Sequence, residues 1–183
     1  MPIIPHKFRN HIVSPETEIL ILGTFNPDVP NGPTFFYGRP RNYLWRLLPG
    51  CWALPSLKNG TLQDKQGFMA EYKIDFADVI HSVLVPEDQV NNLLDTYIDD
   101  KVQERKEIIT LISSLKKLKA IYFTRKTFTD IPNIHAMILA IQNYCRQNAI
   151  RFCLLETPAR FTNDEKQQMW INTINIQHNC CQV

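Results

Sequence analysis

The sequence predicts an α/β fold: three layers, α/β/α, around a mostly parallel four-stranded central sheet. Short, nearly unbroken apolar runs of strand length recur at Glu18 to Gly23, Ile74 to Val79, Ala120 to Phe123 and Ile150 to Leu155, the pattern of strands buried on both faces. Segments with helical periodicity lie between them. That alternation predicts a parallel sheet covered by helices on both faces, with ligands at the carboxyl ends of its strands.

The first run, EILILG, ends at Gly23. Residues 24 to 40 contain Pro27, Pro30, Pro33, Pro40, Gly32 and Gly38, which no helix or interior strand tolerates, so a long loop follows. Pro40 suits a first helical turn, and Tyr43, Leu44, Leu47 and Leu48 continue at helical spacing until Pro49-Gly50 stops them. A second helix is expected over Thr61 to Tyr72. Val102, Ile108, Ile109, Leu111, Ile112 and Leu115 form an apolar stripe among Lys and Glu, predicting one amphipathic helix over Asp100 to Leu118. Further helices are expected over Ile134 to Asn148 and, from an Asn-Asp start with Glu165 in the first turn, over Asn163 to Ile176.

A chain of 183 residues with 44% hydrophobic content can bury one core, so residues 1 to 183 are expected to form a single domain. The formal net charge of +2 neither requires nor excludes a nucleic-acid partner; a DNA-facing surface would have to come from local arrangement. Five cysteines without CxxC spacing argue against a disulfide framework and for a reducing compartment. The five histidines share no short spacing with them, so no metal site is read and no cofactor is expected. No stretch approaches the roughly 18 apolar residues of a membrane span. The expectation is a cytoplasmic, monomeric protein.

The strand-end rule points to the loops after Gly23, Phe123 and Leu155. The first holds Thr24, Phe25, Asn26, Pro27 and Asp28, then Phe35-Phe36-Tyr37-Gly38, then Arg39-Pro40-Arg41-Asn42. Aromatic rings beside amides suit a pocket that stacks a planar ring and reads its edge. Arg39 and Arg41, at an expected helix start, can reach anionic groups. Glu156-Thr157-Pro158-Ala159-Arg160 forms a stiff turn with hydroxyl and guanidinium groups available for phosphates. By residue type alone such loops more often pack their rings on the domain surface.

The ordered segments ILILG-TFNPD, FFYG, RPRNYLW, YKIDFADVIHS, AIYFTRKTF and LLETPARF, with Glu165-Lys166 and Trp170 in the last helix, resemble the uracil-DNA glycosylase superfamily, and within it the hypoxanthine-DNA glycosylase branch. That branch carries Gly-Ser-Phe-Pro-Gly, His-Pro-Arg-Asn-x-Phe-Trp, a strand ending in Trp-Asp-Val, and Pro-Ser-Thr-Ser-Pro-Ala. The resemblance runs from about Glu18 to Ile174. It departs at the turn, where three residues separate Gly23 from Pro27 and Asp28 stands for glycine, at Arg39 in place of histidine, at Thr124-Arg125 in place of an amide and glycine, and at Thr157-Pro158.

The resemblance implies a glycosylase that hydrolyses the N-glycosidic bond of a deaminated base, uracil or hypoxanthine, with damaged DNA as partner. Asn42 is the expected catalytic amide and Asn26 its rival, since mismatch-specific uracil glycosylases resemble Gly-Ile-Asn-Pro-Gly here and use their asparagine to orient water. Asp28 is the expected general base or, equally, a turn-forming residue. Gly23, Thr24 and Phe25, with Phe36 or Tyr37 as the rival stacking ring, would bind the base. Arg39, Arg41, Thr157, Pro158 and Arg160 would hold DNA, while Asp78 reads as a cap or network residue. Two other classes stay open: a catalytically idle relative that binds DNA, a nucleotide or a protein, and an unrelated α/β enzyme acting on a phosphate-bearing small molecule.

Overall fold

A computed structural model describes residues 1–30, 32–90, 92 and 94–175. In chain order its elements are β1 (Ile3–Pro5), β2 (Ile19–Gly23), α1 (Leu44–Gly50), α2 (Leu62–Tyr72), β3 (Ile74–Asp78), β4 (Ile80–Leu84), α3 (Asp95–Ile98), β5 (Val102–Arg105), α4 (Ile108–Ser114), β6 (Ala120–Phe123), α5 (Pro132–Gln147), β7 (Arg151–Leu154) and α6 (Asp164–Asn175). The four expected strands pair in the order β3-β2-β6-β7, and every pairing is parallel.

Strand periodicity divides the core between the two faces of this sheet. Leu20, Leu22, Ile121 and Phe123 point to one side, where Ile108 and Ile112 of α4 and Ile134, Ile138 and Ile141 of α5 cover them. Ile21, Phe76 and Tyr122 point to the other, against Leu44, Leu47 and Leu48 of α1, Phe68 of α2, and Trp170 and Ile174 of α6. The result is the expected three-layer α/β/α arrangement. Each fully buried large side chain contributes about 1.5–3 kcal/mol by leaving water, which is why the doubly buried strands are so apolar in sequence.

Helix ends are held by named groups. The Thr61 side chain accepts from the Asp64 N–H while the Asp64 carboxylate accepts from the Thr61 N–H, a complete capping box on α2. Thr61→Ala is expected to lower stability by about 1 kcal/mol, read as a lower denaturant midpoint at unchanged slope. The buried Asp99 caps α5 across the fold, accepting from the Ile134 N–H at 2.7 Å and the Asn133 N–H at 3.1 Å.

Two expectations need correction. Residues 100–118 are not one helix: Val102–Arg105 is an edge strand, paired antiparallel with β4, and only Ile108–Ser114 is helical. Together with β1 these strands form a second sheet, in the order β1-β4-β5. Its β5 exposes Gln103, Glu104 and Arg105, charged decoration typical of a protected sheet edge. The first helix begins at Leu44 rather than Pro40, because residues 41–43 pair instead with residues 158–160: Tyr43 N–H donates to Pro158 O and Arg160 N–H to Arg41 O. The expected end of the last helix at Ile176 lies outside the described residues. No helix among the described residues is long and apolar enough to cross a membrane.

Candidate functional site

Strand β2 is the switch point of the parallel sheet, with β3 on one side and β6 on the other. Chain connections leave it in opposite directions, so a crevice opens at its carboxyl end. The cleft there, about 190 Å³, is lined by Gly23, Thr24, Phe25 and Asn26 from the loop after β2, Tyr37, Arg39 and Asn42 from the next loop, and Thr157, Pro158 and Ala159 from the loop after β7. Asp78 at the end of β3, Asp95 at the start of α3 and Thr124 after β6 complete it. Segments more than a hundred residues apart in the chain thus meet at one rim.

The floor is built on close approach. Gly23 is paired with Asp78 across the sheet, and a Cβ at Gly23 would overlap Asp78 Oδ1 and stand 2.8 Å from the Tyr37 hydroxyl. Its φ is not positive, so glycine is required by space rather than by backbone conformation. Gly23→Ala is expected to cost about 2 kcal/mol through overpacking and to displace Asp78; unfolding midpoints and ligand binding would both register it.

Asp78 is 1% exposed and collects two donors on one oxygen: His6 Nε2 at 2.6 Å and Asn26 Nδ2 at 2.5 Å. The His6 tautomer follows from its other nitrogen. Nδ1 accepts the Phe8 N–H at 3.0 Å, so the proton sits on Nε2, which donates to Asp78. This buried chain also fixes the Asn26 amide: with Nδ2 committed to Asp78, its Oδ1 is the atom left to accept. Asn42 is oriented the opposite way. Its Oδ1 accepts the Leu44 N–H at 3.0 Å, in the turn that leads into α1, leaving its NH₂ as donor. One amide presents an acceptor and the other a donor.

Asp95 accepts on Oδ2 from Arg125 Nη1 at 3.0 Å and from Thr24 Oγ1 at 3.2 Å. Burial raises its pKa above the ordinary aspartate range; Arg125 and Thr24 offset part of that rise, while the Asp78 charge adds to it. Arg125 is itself held by Thr127 O at 2.6 Å and Asp130 at 2.7 Å. The Tyr37 hydroxyl lies 3.1 Å from Thr124 Oγ1, and burial pushes its pKa well up, reinforced by Asp78; it serves as a neutral phenol.

The wall formed by residues 157–161 hangs on a buried cation. Lys166, 4% exposed, donates from Nζ to Thr157 O at 3.0 Å, Ala159 O at 3.4 Å and Phe161 O at 2.9 Å, and burial lowers its pKa. Trp170 Nε1 donates to Glu156 O at 3.0 Å, and Asn42 and Ala159 form a β-bridge. The two arginine-bearing motifs are therefore stitched side by side by backbone hydrogen bonds.

Several expected site residues fall elsewhere. Phe36 is 0% exposed, stacked on Phe76 at 5.7 Å between ring centroids, with its carbonyl accepting from Trp45 Nε1; it is a core ring and cannot reach a ligand in the cleft. Asp28 does not line the cleft but pairs with Arg9 at 2.9 Å on the surface. Arg41 and Arg160 are exposed beside the rim rather than within it, whereas Pro158 lines the cleft as a buried residue of its wall. The short α1, starting after Asn42, provides no helix N-terminus at Arg39. Sequence reasoning missed His6, Asp95 and Lys166. Only the Glu165-Lys166 and Trp170 pattern offered a signal for the last.

No family model matches the chain, and neither does any curated protein. Among solved structures, it is similar to the solution NMR structure of a candidate uracil DNA glycosylase from Methanosarcina acetivorans, with 19% identity and a TM-score of 0.59 over 91% of this chain and 94% of that one. At that identity the likeness speaks for the fold, and the chain shares with that structure a mixed α/β architecture built on a four-stranded parallel sheet.

Proposed function

We propose that this protein is a DNA glycosylase, hydrolysing the N-glycosidic bond of a deaminated base, uracil or hypoxanthine, that has been turned out of the helix into the cleft. The observation that carries the reading is the buried chain from His6 through Asp78 to Asn26, which holds one amide oxygen at the bottom of a cleft at the sheet's switch point. The fold likeness to a candidate uracil DNA glycosylase supports it.

Bond cleavage places positive charge on the sugar and negative charge on the departing base. Asn26 Oδ1 accepts a hydrogen bond from a water and aims its lone pair at C1′. As the C1′–N bond breaks, its electron pair leaves with the base, water's oxygen bonds to C1′, its proton passes to solvent and the base takes up a proton. Fixed dipoles are effective here because they need no reorganisation as charge develops. The Asn42 NH₂ is the donor for a carbonyl of the base, and Phe25, in the cleft wall, is the ring beside it.

Extrusion costs a few kcal/mol, which DNA contacts must return. Arg39, Arg41 and Arg160, exposed around the rim, suit the flanking phosphates, with Thr157 beside them. Phe161, 57% exposed beyond the wall, is suited to enter the gap the base leaves. The test is strand cleavage after alkali of duplexes holding one uracil, hypoxanthine or xanthine, at enzyme in excess. Alkali-labile product that disappears in Asn26→Ala supports the reading, and no product on any of the three overturns it.

A further inference from the structure

Nothing in the proposed reaction uses Asp95, although a carboxylate is an unfavourable group to place beside DNA and next to a second carboxylate. Its position is built. Oδ2 is clamped by Arg125 and Thr24, and Arg125 is in turn fixed by Thr127 O and Asp130. Among the described residues, Oδ1 takes no hydrogen bond, and it is not among the sealed, unpartnered oxygens. Asp95 lines the cleft, so a fixed acceptor faces the same space as the Asn42 donor.

Resting on the glycosylase reading, we propose that Asp95 is the residue that selects the base: its Oδ1 accepts the ring N–H that deamination creates. Uracil and hypoxanthine both present a ring N–H next to a carbonyl, whereas their parents cytosine and adenine present a bare ring nitrogen next to an amino group. A carboxylate oxygen welcomes the first edge and repels the lone pair of the second. The Asn42 NH₂ discriminates in the same direction, accepting a carbonyl partner and rejecting an amino group. Polar groups built to pair with one edge reject the other strongly, because each is left unpaired on the wrong base. Arg125 and Thr24 both donate to Oδ2, which leaves Oδ1 as the oxygen free to accept, and the charged and polar groups that face it are Arg125, Thr24 and Asp78.

Asp95→Asn tests this directly. The two donors on Oδ2 hold the new amide oxygen, which turns the NH₂ toward the cleft and converts acceptor to donor. Binding is measured to duplexes carrying 2′-fluoro analogues of deoxyuridine, deoxyinosine, deoxycytidine and deoxyadenosine, which resist cleavage. Wild type is expected to prefer the deaminated pair, and Asp95→Asn to shift that preference by about 100-fold toward cytosine and adenine, the scale of one good base-edge contact reversed. Asp95→Glu, which keeps an acceptor on a longer arm, retains the original direction at reduced strength and shows that a carboxylate here is compatible with folding. An unaltered preference in Asp95→Asn overturns this assignment while leaving the glycosylase reading intact. Absence of any lesion preference and of any excision in the wild type overturns both.

Discussion

Asn26→Ala is expected to lower the single-turnover rate of base release about 1000-fold while changing duplex affinity only a few-fold, the range seen when one preorganised dipole is removed from a reacting centre. The split between rate and binding is the informative part. In the proposed reaction Asn26 Oδ1 acts on the attacking water, which matters only as the sugar becomes electron-poor, so its loss is expected to leave the bound state nearly untouched. The amide is not free to turn and compensate: Nδ2 lies 2.5 Å from Asp78 Oδ2, whose other donor is the buried His6. Removing the side chain leaves Asp78 with His6 alone, whose Nε2–H still donates to it. A rate within tenfold of wild type in rapid-quench experiments would remove Asn26 from the chemistry.

Lys166→Met has the largest expected effect on stability, about 3 kcal/mol, because three carbonyls lose at once the buried donor they share. The methionine stem fills the space but donates nothing to Thr157, Ala159 and Phe161. Since those carbonyls belong to the cleft wall, the damage should be functional as well as thermodynamic. Duplex affinity is expected to fall about tenfold, as the exposed Phe161 and Arg160 lose their fixed placement, a factor that corresponds to roughly 1.4 kcal/mol. Denaturant unfolding together with hydrogen exchange over residues 157–161 measures both effects. Full stability with a protected loop would mean that Trp170 and the bridge between Asn42 and Ala159 suffice to hold the wall.

The parallel sheet was legible because its physics is local in sequence. A strand buried on both faces must be apolar at every position, so ILILG and AIYF stand out without knowledge of their neighbours. The second sheet was hidden for the converse reason. VQER keeps only one residue, Val102, half-buried, and its apolar neighbours from Ile108 onward complete a helical spacing that hides the break. Propensity cannot separate a short charged edge strand from the first turn of an amphipathic helix; pairing with β4 decides it.

The candidate site divides in the same way. Chain order and residue type brought Gly23, Thr24, Phe25, Asn26, Tyr37, Arg39 and Asn42 to attention, and the fold places all of them on one cleft. Spacing could not say that Phe36 turns into the core while its neighbour Tyr37, at φ 55°, turns toward the cleft. Nor could it say that Asp28 would find Arg9, or that the carboxylate beneath the amide would be Asp78, held by a histidine 72 residues earlier in the chain. The sequence by itself determined the central strands, the helices that cover them and the loop that carries the amides, since hydrophobic period and turn chemistry act between near neighbours. Tertiary structure alone decided which polar groups meet, because a buried carboxylate takes its partners from whatever segments the packed layers bring within hydrogen-bond reach.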